Sequence, residues 1–153
     1  MPRHLCCGMG LLALHFRAIC HETEDPDRVH QAFTFVTGEV EVEAEETDGH
    51  HGNRIIILES HIKDKKSVKA FFARMETGDL EELLRTLEAR IDDDGNIFLR
   101  IDKQQAFLGE LCMGSTDDPV AVRGKIESYP RKRENDLVSA RTFFEQLLSK
   151  RIN

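Results

Sequence analysis

Hydrophobic and polar residues alternate with a period of two in several parts of the chain. In Leu11–His21, the apolar Leu14 and Phe16 are separated by polar or smaller residues. Successive side chains of a β-strand point to opposite faces, so this alternation predicts a strand with one buried face. Ile97–Asp102 and Pro119–Tyr129 show the same pattern and are also predicted to be strands.

Residues 39–62 are predicted to form a β-hairpin with a long tip. Glu39–Glu46 alternates glutamate with valine or alanine, which predicts a strand with buried valines and exposed glutamates. Asp48–Asn53 is rich in turn-forming residues, and the β-branched Arg54–Ile62 follows as the second strand.

Helical spacing of apolar residues marks the segments between these strands. Asp25, followed by a proline, is a suitable N-cap for a first helix that ends at Gly38. A second helix is expected to break at Gly78, and a capping box at Asp79–Glu82 is expected to start a third. The last helix is predicted to begin near Arg133–Asn135.

Strands grouped as hairpins, with helices between them, predict an α+β fold. We expect two layers: a mostly antiparallel or mixed sheet with helices packed on one face. Lys103–Leu111 is expected to be a short turn followed by an edge segment. A chain of 153 residues is long enough for one domain, so residues 11–153 are predicted to form a single α+β domain after a loose N-terminal leader, residues 1–10.

Composition and charge limit the classes of function. Hydrophobic residues make up 40% of the chain, which is enough for a folded core. The formal net charge is −7, which excludes a protein that coats nucleic acid by its overall charge. A basic surface on an acidic protein remains open. The four cysteines include no C-x-x-C pair, which indicates reduced thiols and a cytoplasmic location. No apolar run is long enough for a membrane helix, so no membrane partner is expected.

The acidic and histidine residues do not form a recognisable catalytic or metal motif. Asp92–Asp94 resembles part of a calcium loop, but Arg90 and Ile101 occupy the positions of its anchoring ligands. We therefore expect no metal, no cofactor and no enzymatic activity. A metal-dependent nuclease that uses Asp92–Asp94, Asp102 and histidines is the least favoured alternative, because two-metal chemistry needs acids that converge on metals about 4 Å apart.

The hairpin tip matches the G-x-x-G pattern of KH domains, in which a tight backbone approaches an RNA phosphate. The matching residues are Gly49, His50, His51 and Gly52, followed by Asn53. A KH loop joins two helices, whereas this tip joins two predicted strands, so a KH domain is not expected. A backbone contact with phosphate at His50–Asn53 remains open.

Several cations occupy strand positions opposite the buried residues. They are Arg17, Arg100, Arg123 and Lys125, and Phe98 belongs to the same set. Guanidinium and ammonium groups pair with phosphates, and a flat ring stacks on an unpaired base, so this pattern is typical of an RNA-binding sheet. Further basic groups lie at Lys63–Lys69 and Arg131–Arg133. The alternative is an ordinary charged surface, since 28 acidic residues are available to balance these cations.

Four segments carry a resemblance to a known family. They are Phe16–Asp25, Gly49–Asn53, Ile91–Leu111 and Lys125–Glu134. Together they resemble a small archaeal family of predicted RNA-binding proteins, often described as exosome-associated or RNase P-like. Members of this family share the α+β fold of the ribosomal protein that binds 5S rRNA in the large subunit. The resemblance covers essentially residues 11–150.

The resemblance implies an RNA-associated, non-catalytic role in RNA processing or ribonucleoprotein assembly. It implies RNA as a partner, together with subunits of an exosome or RNase P-type complex; a homodimer is left open. A protein–protein adaptor in such a complex is the main alternative. The residues that match the polar motifs of the family are His50, Gly52, Asn53, Arg100, Asp102, Lys103, Gln104, Tyr129, Arg131 and Arg133.

The surface pattern and the resemblance together give one set of candidate RNA-binding residues. They are Arg17, His50, His51, Gly52, Asn53, Phe98, Arg100, Lys103, Arg123, Lys125, Arg131, Lys132 and Arg133. The negative net charge predicts weak RNA binding, or binding that depends on a partner complex.

Overall fold

A computed structural model of the protein describes residues 10–38, 40–48, 52–114 and 117–152, and it confirms the α+β class. The elements in chain order are β1 (Gly10–Cys20), α1 (Pro26–Thr37), β2 (Glu43–Asp48), β3 (Arg54–Ile62), α2 (Lys65–Ala73), α3 (Thr77–Arg85), α4 (Leu87–Arg90), β4 (Asn96–Ile101), α5 (Lys103–Phe107), β5 (Val120–Glu127) and α6 (Arg133–Ile152). The strands form an antiparallel sheet in the order β2-β3-β1-β5-β4. Among the described helices, none has both the length and the apolar character that crossing a membrane requires.

The described residues divide into two compact units. Unit 1 contains residues 10–14, 63–98 and 123–152, and unit 2 contains the remainder. Strands β1, β4 and β5 contribute residues to both units. Residues 1–9 of the expected leader lie outside the described residues.

Unit 1 has an aromatic core between its helices. The ring of Phe72 on α2 meets Phe144 on α6 edge-to-face, with ring centroids 5.0 Å apart, and both side chains are fully buried. Phe71 and Phe143 extend this cluster with the same edge-to-face geometry. Such pairs stabilise a core beyond the area that they bury.

Gly124 on β5 lets the strand side chains of unit 1 pack closely. A Cβ atom at this position would lie 2.9 Å from Ile97 Cγ2, 2.9 Å from Leu11 Cδ2 and 3.2 Å from Leu14 Cδ2. We expect Gly124→Ala to lower the free energy of unfolding by about 1–2 kcal/mol, because the added methyl group overpacks a well-filled core. The urea midpoint of unfolding measures this loss.

Gly78→Ala is the matched control, because a Cβ atom there meets nothing within 4 Å and the residue lies in α3. Alanine is the better helix former, so this variant should be equally stable or slightly more stable. Equal midpoints for the two variants would contradict the close packing at Gly124.

Unit 2 contains the β2–β3 hairpin, α1 and α5. Asp25 caps α1 by accepting a hydrogen bond from the Asp27 amide at 3.0 Å, as the sequence predicts. Gly38 ends the helix with a left-handed backbone (φ 83°), a conformation that glycine adopts without strain. Helix α1 packs against α5.

Predictions for three elements are wrong, two in where the element begins and one in its type. Strand β2 begins at Glu43 rather than at residue 39, and Val40 and Val42 are only half-buried before it. Helix α3 begins at Thr77, because the amides of Asp79 and Leu80 both donate to the Glu76 carbonyl. Gly78 therefore lies inside this helix, and the predicted capping box at Asp79–Glu82 does not start it. Glycine is tolerated in a first turn.

The third correction concerns the segment after β4. Lys103–Phe107 is the short helix α5, not a turn with an edge segment. Asp102 caps this helix by accepting a hydrogen bond from the Gln105 amide at 3.0 Å. Five residues carry too little periodicity for the sequence to show a helix.

Candidate nucleic-acid interface

The exposed side of β4 and β5 in unit 1 carries two cations and an aromatic ring. Phe98 is 44% exposed, and Arg123 and Lys125 are also exposed, whereas Ile97 and Gly124 are buried. The close approach of Gly124 to Ile97 places these two on the same side of neighbouring strands. Because side chains alternate along a strand, Phe98, Arg123 and Lys125 share the other side. We call these three residues the β4–β5 strip.

The cations of the β4–β5 strip are free to bind an anion. Neither Arg123 nor Lys125 makes an ion pair with any residue that the structure describes. The nearest acid along β5, Glu127, is bound by Lys65 at the start of α2, with an Nζ–Oε1 distance of 2.6 Å. The strip therefore presents positive charge that the adjacent carboxylate does not neutralise.

A second aromatic ring follows the strip along the chain. Tyr129, two residues after β5, is 94% exposed. The residues on either side of it are anchored on Asp136, which accepts hydrogen bonds from Ser128 Oγ at 2.6 Å and from Arg131 Nη1 at 2.9 Å. Asp136 is fully buried, so the segment that carries Tyr129 is fixed at both ends.

In the predicted basic cluster Arg131–Arg133, the two arginines donate to backbone carbonyls and the lysine is exposed. Arg131 also donates to the Asp93 carbonyl at 2.6 Å, and Arg133 donates to the Glu88 carbonyl at 2.7 Å. Lys132 between them is exposed and makes no ion pair within the described residues. The hydrogen bonds of the two arginines favour a structural role for both.

Unit 2 holds the other two predicted strand cations. Arg17 on β1 and Arg100 on β4 are exposed, and their chain neighbours Phe16 and Ile101 are buried. As far as the described residues extend, neither arginine has an ion-pair partner. The alternation that the sequence predicts for these positions is confirmed.

The β2–β3 side of unit 2 is acidic. Glu43 on β2 is paired in register with Glu59 on β3, so their side chains share one side of the sheet. His15 on β1 is on that side too, since its Nε2 lies 2.7 Å from Glu59 Oε2 and its ring centroid lies 4.6 Å from that of His61. These carboxylates repel phosphate, and the strand register shows that Glu43 and Glu59 lie on the same side.

The second half of the hairpin tip, Gly52 and Asn53, lies within the described residues. His50 and His51 lie outside the described residues. Gly52 and Asn53 are both exposed, and Gly52 has a left-handed backbone with φ 78°. A left-handed φ favours glycine at this turn, and the proposed phosphate contact at the tip stays a prediction.

Lys103 is buried, with 4% of its side chain exposed. Its Nζ lies 2.6 Å from Asp118 Oδ2, 3.1 Å from the Glu24 carboxylate and 3.0 Å from the Ile19 carbonyl. These contacts satisfy all three ammonium protons inside unit 2. They favour a structural role for Lys103, whose burial the sequence does not indicate.

The same group of residues resembles a metal site. In the described part of the chain, His21, Glu24 and Asp118 each offer a ligand atom within 4.8 Å of the others. The ammonium group of Lys103 contacts both carboxylates and already supplies positive charge there.

Burial, followed by the nearby Glu24 carboxylate, raises the pKa of the Cys20 thiol, so the thiol remains protonated.

The acids of the nuclease alternative have local structural roles. Asp92 accepts hydrogen bonds from the amides of Asp94 and Asn96 at 3.0 and 2.9 Å. Burial acts to raise the pKa of Asp92, but these amide contacts outweigh it and hold the pKa below its usual value. Asp102 caps α5. Both carboxylates are therefore occupied by backbone amides.

Similarity to known proteins adds a second kind of evidence. A family model described as RNA binding matches residues 13–126. A protein of Pyrococcus abyssi named as an RNA-binding protein is 30% identical over 142 residues, which cover 86% of this chain and 92% of that protein.

Solved structures of archaeal proteins have the same fold. A crystal structure of an Archaeoglobus fulgidus protein of family DUF54 matches with a TM-score of 0.77 and 34% identity, over 87% of this chain and 99% of that chain. A DUF54 protein of Methanothermobacter thermautotrophicus matches with a TM-score of 0.73 and 29% identity, over 88% of this chain and 98% of that chain.

Proposed function

This chain belongs to the RNA-binding family whose model spans residues 13–126, and from that premise we propose that it is a non-catalytic protein that binds RNA through the β4–β5 strip. The observation that carries the proposal is the pair of exposed cations Arg123 and Lys125, without ion-pair partners among the described residues, beside the exposed ring of Phe98.

The spacing on the strip suits an extended polyanion. Arg123 and Lys125 are two residues apart on one strand, so their Cα atoms are about 6.6 Å apart along it. Two cations at this separation pair with different phosphates of one RNA strand. The guanidinium group of Arg123 adds two parallel hydrogen bonds to its phosphate, which an ammonium group does not provide.

The exposed rings favour unpaired RNA over a duplex. Phe98 on the strip and Tyr129 after β5 both belong to unit 1. In a duplex the bases are stacked on one another, whereas in a loop or single strand they are free to stack on aromatic side chains. Ring contacts of this kind tolerate many sequences, so the strip binds RNA with little preference for sequence.

We expect the double variant Arg123→Ala/Lys125→Ala to bind single-stranded RNA about 25-fold more weakly at 0.1 M salt. Each phosphate contact on a single strand contributes about 0.7 to the log–log slope of affinity against salt. Loss of two contacts should reduce this slope by about 1.4, and the affinities of the two proteins should converge near 1 M salt. Fluorescence anisotropy of a labelled oligonucleotide over a salt series measures both quantities.

The control is Lys66→Ala/Lys69→Ala, which removes the same charge from exposed positions on α2. It should leave the affinity within about twofold, because no ring accompanies these lysines. An equal loss in both double variants would show that RNA responds only to net charge, and the β4–β5 strip would then have no special role.

Association with an exosome or RNase P-type complex belongs to the same proposal. The net charge of −7 and the paired acids Glu43 and Glu59 support it, because both limit the RNA surface of the protein alone. Pull-down from nuclease-treated lysate separates the two roles: partners bridged by RNA are lost, and directly bound subunits remain. The cytoplasmic location, the homodimer and the ribosomal-protein fold stay predictions.

A further inference from the structure

A cavity in unit 2 lies between the first turns of α1 and α5. Its volume is about 340 Å³, which is within the range of small-ligand sites. The loop before α1 contributes Thr23, Glu24 and Asp25, α1 contributes Arg28, and α5 contributes Lys103, Gln104 and Phe107. None of the contacts that define the β4–β5 strip involves these residues.

The wall of the cavity includes a cation–π pair. The guanidinium carbon of Arg28 lies 4.3 Å from the centroid of the Phe107 ring. Arginine planes and aromatic rings are the two surfaces on which proteins stack unpaired bases. Because Arg28 and Phe107 already contact each other, a base that stacks here causes only a small further loss of side-chain conformational entropy.

Some polar groups at the cavity already have hydrogen-bond partners and others do not. One oxygen of Asp25, Oδ1, accepts the Asp27 amide, and no described residue donates to its Oδ2. The side-chain amide of Gln104 is exposed and has no hydrogen-bond partner in the described part of the chain. Glu24 is committed to Lys103 and to the His21 amide. The free groups therefore include a carboxylate oxygen and a carboxamide.

We infer that this cavity binds one unpaired guanine base of an RNA. A guanine presents two N–H donors on its Watson–Crick edge, which suit the free Oδ2 of Asp25 together with the remaining lone pair of its Oδ1. Its acceptors at O6 and N7 suit the amide of Gln104. Adenine and uracil present at most one donor with an adjacent acceptor that the carboxylate repels. The inference rests on the proposed RNA binding and adds a preference for guanine to it.

Guanosine titrated into the ¹⁵N-labelled full chain tests the inference. We expect saturable amide shifts in residues 23–29 and 103–107, and about tenfold weaker binding of adenosine, since one bidentate pair discriminates by about that factor. Absence of saturable shifts in these two segments, or equal affinity for the two nucleosides, overturns the inference.

Two variants make the test specific to the cavity. Asp25→Ser keeps an N-cap oxygen for α1 but removes the carboxylate, so it should weaken guanosine binding about tenfold and leave the weak adenosine binding unchanged. Gln104→Ala, at an exposed position, should weaken guanosine binding with no loss of stability. Wild-type affinity for guanosine in both variants overturns the inference.

Labelled RNA separates a base within a strand from a free nucleoside. An oligonucleotide with a single guanosine should lose affinity in Asp25→Ser, and its guanosine-to-adenosine counterpart should not. If only free guanosine responds to the variant, RNA is not the source of the base and the inference is overturned. If Arg123→Ala/Lys125→Ala retains full RNA affinity while guanosine still shifts the cavity amides, the β4–β5 strip fails and the cavity stands.

Discussion

Replacing Lys103 by methionine is expected to lower the free energy of unfolding by about 3 kcal/mol. Methionine matches the length of the buried stem, so the loss reports the ammonium group. Without it, the carboxylates of Glu24 and Asp118 face each other with no cation between them, and the Ile19 carbonyl loses its donor. Removing one partner of a buried pair typically costs about 3–5 kcal/mol, and the partial exposure of both carboxylates places this site at the lower end. Urea unfolding followed by circular dichroism measures the change.

The control is Lys69→Met, an exposed lysine of α2, which should leave the stability within about 0.5 kcal/mol. Adding Glu24→Gln and Asp118→Asn to the Lys103→Met variant should recover part of the loss, because the uncompensated charges are then gone. At a temperature where it is folded, Lys103→Met should keep the salt dependence of RNA binding. Wild-type stability combined with a lower salt slope would instead make Lys103 an RNA contact.

Replacing Asp136 by alanine is expected to lower the free energy of unfolding by about 2–3 kcal/mol. The carboxylate is fully buried and accepts hydrogen bonds from Ser128 and Arg131, and bonds to a charged group contribute about 1.5–3 kcal/mol each. The estimate stays below the sum of two such bonds, because Arg131 is 42% exposed and water can hydrate its guanidinium group. Thermal and urea unfolding both measure the loss.

Glu134→Ala provides the comparison, since Glu134 lies in the same first turn of α6 but is exposed. Its loss should cost only a few tenths of a kcal/mol, the usual contribution of an acid at a helix N-terminus. Asp136→Ala releases Arg131, so the salt slope of RNA binding should not fall. A decrease in that slope without a loss of stability would mean that Asp136 does not anchor the segment that carries Tyr129.

The ion pairs at Lys103 and Asp136 reduce the number of predicted RNA-binding residues that are available to RNA. Lys103 and Arg131 match the polar motifs of the family, but each forms an ion pair with a carboxylate of its own unit. Of the candidate cations that remain available, four lie on strands with alternating burial, and Lys132 lies in the segment before α6. The proposed RNA surface is therefore narrower than the one drawn from the sequence.

Local patterns predicted the elements well where one face of an element is buried. The alternation in β1, β4 and β5 and the proline and glycine around α1 gave these elements almost at their observed bounds. They failed at β2, at the start of α3 and at α5. Strand β2 has no buried face, and a helix of five residues has no period to detect.

The sequence alone determined the class of fold and which strand positions are exposed, because alternation and capping act over a few residues. It therefore placed Phe98, Arg123 and Lys125 at exposed positions. Only the tertiary structure decided which cations are free, since ion pairs such as that of Lys103 with Asp118 join residues far apart in the chain. The cavity between α1 and α5 and the acidic pairing of Glu43 with Glu59 likewise depend on packing and strand register, which local sequence does not encode.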